Sequence, residues 1–210
     1  MKDLSVVVVS YNTCKMTKKT LEDLIRALTE EKISWEIIVV DNASIDGSVQ
    51  MLDILAKDYP GVIVVKNTGN LGFGAANNIG IKKADGEFVL LLNSDVEVER
   101  SDFASLISYL RRNKDVGGLT TKVMLTDTKI DPASHRGFPS IWHSFCYFSG
   151  LETLTKNIPL LNRLFGGYHM TWENLAKNHE IDSPTAAFFL IPRDILKEVK
   201  GFDEEYFMYG

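Results

Sequence analysis

Leu4-Ser5-Val6-Val7-Val8-Val9-Ser10-Tyr11-Asn12 is the stretch that decides the architecture. A β-branched run without polar alternation is what a strand covered on both faces requires, and the turn-prone Ser10-Tyr11-Asn12 closes it. Working outward, the same unit recurs. Leu21, Leu24, Ile25 and Leu28 return at helical spacing between Cys14 and Glu31, with Lys and Glu on the other side, which predicts an amphipathic helix. Trp35-Glu36-Ile37-Ile38-Val39-Val40 is a second buried strand ending at Asp41-Asn42-Ala43-Ser44. Ser44 or Asp46 then stands where a cap is needed for a helix running through Leu55. A third strand, Val62 to Val65, leads through a Gly- and Asn-rich loop to a helix from Phe73 to Ala84. Glu87 to Leu92 is a fourth strand ending at Asn93-Ser94-Asp95, a helix from Asp102 to Arg112 follows, and Gly117 to Leu125 reads as a fifth strand.

Strand alternating with helix is the pattern of an α/β fold: a doubly wound, mostly parallel sheet with helices on both faces. In such sheets the ligand crevice lies beyond the carboxyl ends of the strands, where the strand order reverses. Ser10-Tyr11-Asn12, Asp41-Asn42, Asn67 to Asn70 and Asn93-Ser94-Asp95 all follow strands and are expected to gather on one rim. Residues 126–180 carry many aromatics together with His135, His143, His169 and His179 and few clean periodicities. They are expected to form long loops and short helices over the crevice. Regularity returns with Ala186 to Ile191, a strand broken by Pro192, and a short helix to Lys200. The ending Gly201-Phe202-Asp203-Glu204-Glu205-Tyr206-Phe207-Met208-Tyr209-Gly210 is aromatic and compact where a terminus is usually polar and frayed. It reads as the interior of a longer chain.

Composition narrows the function classes. The chain has 210 residues, 45% hydrophobic and 24% charged, the makeup of a globular domain with one sizeable core. A net charge of −5 with scattered Lys and Arg gives no basic footprint for nucleic acid. Cys14 and Cys146 form no Cys-x-x-Cys pair, so neither a disulfide framework nor a zinc site is indicated, and a reducing, cytoplasmic setting is expected. The apolar run Leu4 to Val9 is too short for a signal-peptide core or a membrane span. Gly69-Asn70-Leu71-Gly72-Phe73-Gly74 opens a helix, but its glycine spacing and its place after the third strand disfavour a dinucleotide fingerprint. Gly-x-x-x-x-Gly-Lys-Ser/Thr, His-Glu-x-x-His and Gly-x-Ser-x-Gly are all absent from the sequence, which removes phosphate-loop, zinc-protease and hydrolase-elbow readings.

Taken in order, the strand-end segments resemble glycosyltransferase family 2, whose members share the GT-A fold. The resemblance is carried by Val6 to Asn12, Ile38 to Ser48, Asn70 to Asn78, Leu91 to Asp95 and the tail from Gly201 to Gly210. The Gly-Phe-Gly-x-x-Asn-Asn version and the tail are most similar to rhamnosyltransferase-like members. It implies a single GT-A domain over residues 1–210, with 1–125 binding the nucleotide sugar and 126–210 forming the acceptor side.

The resemblance also implies roles. Asp41 accepts a hydrogen bond from the imide N–H of uracil or thymine, the competing role being to cap the turn from Asn42 to Ser48. Tyr11 offers a ring face to the base, flanked by the short polar groups of Ser10 and Asn12, and Asn12 is read equally as a strand-end turn. Gly72 and Gly74 leave room for a close-lying ligand at a helix start with free N–H groups, or simply serve a loop needing positive φ. Asn70, Asn77 and Asn78 are placed near the nucleoside, Asn78 being read equally as a helix-face residue and ranked below Asn77. Ser94 and Asp95 stand in the position of the family's Asp-x-Asp metal motif, with Asn93 replacing its first carboxylate. Asp95 alone remains to hold Mg²⁺ or Mn²⁺, together with donor phosphates and water. The histidines of 126–180 are read as surface residues before ligands, and Arg136 as a guess at a phosphate contact.

Inverting transfer needs a carboxylate to take the acceptor's proton. The resemblance puts this base in a Glu-Asp pair directly after Gly210, so the 210 residues are expected to bind donor and to transfer sugar poorly. The expected partners are a dTDP- or UDP-sugar donor and a glycan or lipid-linked acceptor, with peripheral membrane association at the cytoplasmic, inner face and no nucleic acid. The competing functions are a nucleotidyltransferase, which would want a basic Gly-rich loop after the first strand, and a non-catalytic sugar-nucleotide sensor.

Overall fold

The computed structural model describes residues 2–98, 101–125 and 129–208. Tyr209 and Gly210 of the aromatic tail, and Thr126 just past the expected internal boundary, lie outside the described residues. The chain divides into two compact units, residues 1–119 with 186–210, and residues 120–185.

The first unit is built on five strands: β1 (Lys2–Ser10), β2 (Trp35–Asp41), β3 (Val62–Lys66), β4 (Gly86–Asn93) and β5 (Phe188–Pro192). Their order is β3-β2-β1-β4-β5. All pairs are parallel except β4 with β5, which is antiparallel. The helices are α1 (Cys14–Glu30), α2 (Ser48–Asp58), α3 (Phe73–Lys83), α4 (Phe103–Arg112) and, after β5, a short helix Arg193–Val199. The β-branched runs are fully buried because each sheet face is covered. Leu4, Val6, Val8, Ile37 and Val39 pack with Leu21, Leu24 and Leu28 of α1, Leu52 of α2 and Phe103 and Ile107 of α4. The alternate residues Val7, Ile38, Val40, Val89 and Leu91 pack against Ala76 of α3 and Leu196. Alternation along each strand thus delivers one residue set to each layer, as a doubly wound sheet requires.

Gly117 to Leu125 is not the fifth strand. Among the described residues of this stretch only Leu119 pairs with the sheet, in an isolated bridge to Leu190, and the fifth place is taken by Phe188–Pro192. Apolar content alone suggested a strand there, but β4 has one free edge and β5 occupies it. Neither Ser44 nor Asp46 is the N-cap of α2: Gly47, in left-handed backbone at φ 91, holds that place, and both side chains tie the loop before it. Asp46 Oδ1 accepts from the Ser48 amide at 3.1 Å and from its hydroxyl at 2.6 Å, while the Ser44 hydroxyl accepts from the Asn12 amide.

The second unit contains a 3₁₀ turn at Pro132–Ser134 and three short helices, α5 (Ile141–Phe148), α6 (Leu151–Thr155) and α7 (Pro159–Phe165), the short-helix character expected of this stretch. The helix Arg193–Val199 is α8. Inside the second unit Tyr147 stacks on Tyr168 at 4.6 Å, and His169 Nδ1 lies 2.6 Å from the buried Glu152 carboxylate. Among the described residues no helix is long and apolar enough to cross a membrane.

Candidate donor-binding site

Strand order reverses at β1, which has β2 on one side and β4 on the other. The carboxyl ends of these three strands are level. Ser10 pairs in register with Asp41, and Val9 with Asn93. Asp41 and Asn93 therefore stand two strand spacings apart, about 10 Å, on one edge of the sheet. Asp95 follows two residues later on that edge.

Hydrogen bonds between strand-end loops fix this rim. Thr13 Oγ1 lies 3.2 Å from Ser94 Oγ, and Thr20 Oγ1 donates to the Ser94 carbonyl at 3.1 Å. The loops after β1 and β4 are thereby tied across the switch point. On the other side the Asn12 amide donates to Ser44 Oγ, and Asn12 Oδ1 accepts from the Ile45 amide, each at 2.9 Å. Asn12 and Ala43 both adopt left-handed backbone, φ 54 and 66, a strain that two loops bonded to each other can hold. Asp46 Oδ2 reaches back to the amide of Cys14 at the start of α1. The Ser48 hydroxyl first, and then the Cys14 amide, hold the Asp46 carboxyl below the usual range.

Asp41 is 1% exposed. Its Oδ2 accepts from the Ser44 amide at 2.9 Å, while its Oδ1 is buried with no hydrogen-bond partner. Both readings of this residue are therefore present in it: one oxygen serves the turn and the other is open. A buried carboxylate oxygen left unpaired is costly, which marks it as a place where a donor is wanted. Tyr11 on the neighbouring loop is 47% exposed, a ring face available for stacking. Asp95 is exposed and makes no hydrogen bond or ion pair among the described residues.

Other predicted residues turn inward. Ser10 is fully buried, its hydroxyl 3.2 Å from Thr17 Oγ1, so it braces the start of α1 and is not open to a ligand. Asn70 Oδ1 accepts from the Gly72 amide and from Asn42 Nδ2. Asn77 is 2% exposed and donates to the Phe73 carbonyl within α3. Asn78, ranked below it, is the residue with long-range partners: it bonds Phe202 and Glu204 of the tail. Gly72 and Gly74 do leave room for a close neighbour, but the neighbour is the chain itself. A Cβ at Gly72 would sit 2.3 Å from the Phe207 carbonyl oxygen, and one at Gly74 would sit 3.2 Å from that of Asp203. The first free amide of α3, Phe73 N, donates to Phe207 O at 2.8 Å.

The residue that sequence reasoning passed over is Asn42. It is 2% exposed and spends its whole side chain on the loop after β3. Nδ2 donates to Asn70 Oδ1 and the Gly72 carbonyl, and Oδ1 accepts from Asn67 Nδ2 and the Leu71 amide. Its signal was its place beside Asp41 and the concentration of Asn in 67–70. In the second unit, burial pushes the His135 imidazole down, with the charges of His179 and His169 adding to it and Asp131 opposing. Arg136 Nε and His179 Nε2 are buried there without a partner.

Among the described residues no three His, Cys, Asp or Glu side chains are grouped to hold a metal ion. Of the exposed rim carboxylates Asp46 and Asp95, Asp46 is taken up by the Cys14 and Ser48 amides and the Ser48 hydroxyl, and Asp95 has no partner among the described residues. That donor set suits an ion held chiefly by other oxygens, such as those of a diphosphate, and does not suit an all-protein cage.

The fold and sequence have known counterparts. A mannosyltransferase from Pyrobaculum calidifontis, solved with GDP-Man and Mn²⁺, superposes with a TM-score of 0.61 at 18% identity, covering 98% of this chain and 50% of its own. TarS from S. aureus, solved with UDP-GlcNAc, gives a TM-score of 0.52 at 23% identity, covering 67% of this chain and 38% of its own. These likenesses establish a GT-A fold. By sequence, a dolichyl-phosphate beta-glucosyltransferase of Trichomonas vaginalis is 35% identical over 108 residues, 49% of this chain and 33% of the relative. A poly(ribitol-phosphate) beta-glucosyltransferase of Bacillus spizizenii is 38% identical over 93 residues, 44% of this chain and 14% of the relative. The chain thus spans a third or less of the length of these two relatives. The model of glycosyl transferase family 2 matches residues 5–199, nearly the whole sequence, and the chain belongs to that family.

Proposed function

We propose that this chain is the donor-binding part of an inverting glycosyltransferase that moves a sugar from a UDP- or dTDP-linked donor to a polysaccharide or lipid-linked acceptor. The observation that carries the reading is the unpaired, buried Oδ1 of Asp41 beside the switch point. An acceptor atom without a donor fits the imide N–H of uracil or thymine, which is a lone donor between two carbonyls. Guanine presents a different edge, so the proposal commits to a pyrimidine base even though one structural relative was solved with GDP-Man.

In this reading Tyr11 stacks on the base and Asp41 fixes its orientation. Asn42 acts indirectly by holding the 67–72 loop, and the diphosphate lies toward Asp95. Mg²⁺ or Mn²⁺, held by Asp95 and the diphosphate oxygens, would supply the charge that the leaving nucleoside diphosphate needs. The acceptor hydroxyl oxygen forms the new bond to the anomeric carbon as the bond to the diphosphate breaks, its proton passing to a carboxylate general base and the nucleoside diphosphate leaving with the bonding pair. Two sequence relatives are named for lipid-phosphate and polyol-phosphate acceptors, which supports an acceptor tied to a membrane or a polymer and a peripheral membrane association at its cytoplasmic face. Rhamnose as the transferred sugar rests on the likeness of the Gly-Phe-Gly-x-x-Asn-Asn segment and of the tail from Gly201.

Calorimetric titration with UDP, dTDP and GDP, with and without Mn²⁺, tests this. UDP or dTDP should bind and GDP should not, Asp41→Ala should abolish the binding, and Asp95→Ala should remove the Mn²⁺ enhancement. Tighter binding of GDP, or unchanged UDP affinity in Asp41→Ala, sinks the reading.

A further inference from the structure

The peptide unit joining Gly72 to Phe73 is gripped at both polar ends. Its carbonyl accepts from Asn42 Nδ2 at 3.2 Å, and its amide donates to the Phe207 carbonyl at 2.8 Å. A peptide is planar and stiff, so the two groups move as one body. One end is held by the residue that directly follows Asp41, and the other end holds the tail.

The Asp41 side of this link is tightly braced. The Asn42 amide donates to the Ser10 carbonyl at 2.8 Å, and the Asp41 carbonyl accepts from the Asn67 amide at 2.9 Å. Asn42 Oδ1 takes the Leu71 amide and Asn67 Nδ2, while Asn70 Oδ1 takes the Gly72 amide at 3.0 Å. Asp41 and residues 67–72 are thus one hydrogen-bonded block. The tail side is loosely held. Residues 203–208 form no helix or strand, and all six are exposed. Among the described residues, the Phe73–Phe207 bond is the one backbone hydrogen bond that ties them to another element. A segment with so few buried contacts opens locally at low free energy, so its docking is an equilibrium that a modest bias moves. Gly72, at φ +85, lets the Phe207 carbonyl approach where any side chain would collide, which makes the docked position specific.

Asp41 is placed to supply that bias. Its buried Oδ1 has no partner among the described residues, so a nucleobase N–H adds a bond there and restrains the block behind it. A block already ordered leaves less entropy to be lost when the tail docks. We propose that Asn42 is a positioning residue that couples nucleobase binding at Asp41 to docking of residues 203–208 through the Gly72–Phe73 peptide. The inference rests on the donor site proposed above. Coupling of this kind is reciprocal, so the docked tail tightens nucleotide binding by the factor by which nucleotide favours docking.

Hydrogen exchange tests it, read at the Phe73 amide by NMR and over residues 203–208 by mass spectrometry, with and without saturating UDP. UDP should slow exchange at both places about fivefold or more. In Asn42→Ala, with UDP raised to saturation, that increment should vanish; a merely structural role for Asn42 would lower protection in both states and leave the increment. Asn78→Leu loosens the tail at Phe202 without touching Asp41 or residues 67–72, and should weaken UDP binding by up to the same factor. Melting curves show whether the variants are folded, and the comparison of the parent with and without UDP needs no variant. Unchanged exchange in the parent when UDP binds, an increment that survives in Asn42→Ala, or parental UDP affinity in Asn78→Leu overturns the coupling and leaves the donor site standing. Failure of UDP to bind the parent, seen by titration before exchange is read, removes the donor site and the coupling together.

Discussion

Asn78 holds Phe202 at both of its backbone polar groups: Oδ1 accepts from the Phe202 amide and Nδ2 donates to the Phe202 carbonyl, each at 2.8 Å. The same Nδ2 reaches Glu204 Oε1 at 2.9 Å, and the Phe73 and Phe202 rings meet edge to face at 5.8 Å. One amide on α3 therefore fastens a segment 124 residues away in sequence.

Replacing Asn78 by Leu keeps the branched shape, adds some bulk and leaves the Phe202 amide and carbonyl unpaired. The expected cost is about 2 kcal/mol, or a fall in melting temperature of about 6 °C for a domain of this size. Asn78→Asp separates hydrogen bonding from shape, since a carboxylate can accept from the Phe202 amide but repels its carbonyl and Glu204. It should therefore be no more stable than Asn78→Leu, and calorimetric melting of the two variants checks the order.

Gly72 combines φ +85 with a neighbour at a distance no side chain tolerates, the Phe207 carbonyl oxygen. Gly72→Ala should cost at least about 2 kcal/mol, from backbone strain together with displacement of that carbonyl. Gly69, three residues earlier, has open space where a Cβ would go, so Gly69→Ala should be nearly neutral. Hydrogen exchange read by mass spectrometry over residues 202–208 should speed up in the first variant only.

How much of this was legible follows from the range of each interaction. The strands and their polar ends were readable because β-branched runs and helical periodicity are local, and a parallel sheet then puts Asp41 and Asp95 on one edge by topology alone. Gly117 to Leu125 was misread because an apolar stretch does not say which edge is vacant. The roles of Gly72 and Gly74 were half seen: that something approaches closely was local information, whereas its identity, the 203–207 backbone, depends on contacts more than 120 residues away. Asn77 and Asn78 are adjacent, both buried and chemically identical, and only the tail tells them apart.

Asn42 offers a test of support without ligand contact. Asn42→Ala removes hydrogen bonds to Asn67, Asn70, Leu71 and Gly72 at once. A buried network emptied on one side should cost about 3 kcal/mol. The Leu71 amide should lose protection from hydrogen exchange, and UDP affinity should fall severalfold even though Asp41 is intact. Retained exchange protection at Leu71 would show that the loop is held by something else.

Glu36 predicts the acid limb of the stability curve. Its carboxylate is 4% exposed, and burial alone would raise its pKa. The hydrogen bonds it accepts from the Ser5 hydroxyl at 2.5 Å, the Asp85 amide at 2.7 Å and the Lys2 ammonium at 3.0 Å outweigh burial and hold it below 4.5. Asp3, nearby at the amino end of β1, is lowered to about 2 by the Ser34 hydroxyl and the Arg111 guanidinium. For both groups the unfolded chain takes up the proton first as pH falls. Their contribution is therefore complete above the ordinary carboxylate range and is lost as pH drops through the lowered folded values. An earlier, separate loss begins as pH falls through about 6.5, where the unfolded chain takes up a proton that the half-buried His135 resists. For their part, the two carboxylates should leave the melting temperature unchanged above pH 5 and lower it from about pH 4.5 toward pH 2. Glu36→Gln should start lower, because the amide meets Lys2 with a donor or loses an acceptor for Ser5 and Asp85, and should decline less steeply over the same interval. Parallel melting curves for the parent and Glu36→Gln across that range would mean that the acid sensitivity originates elsewhere in the fold.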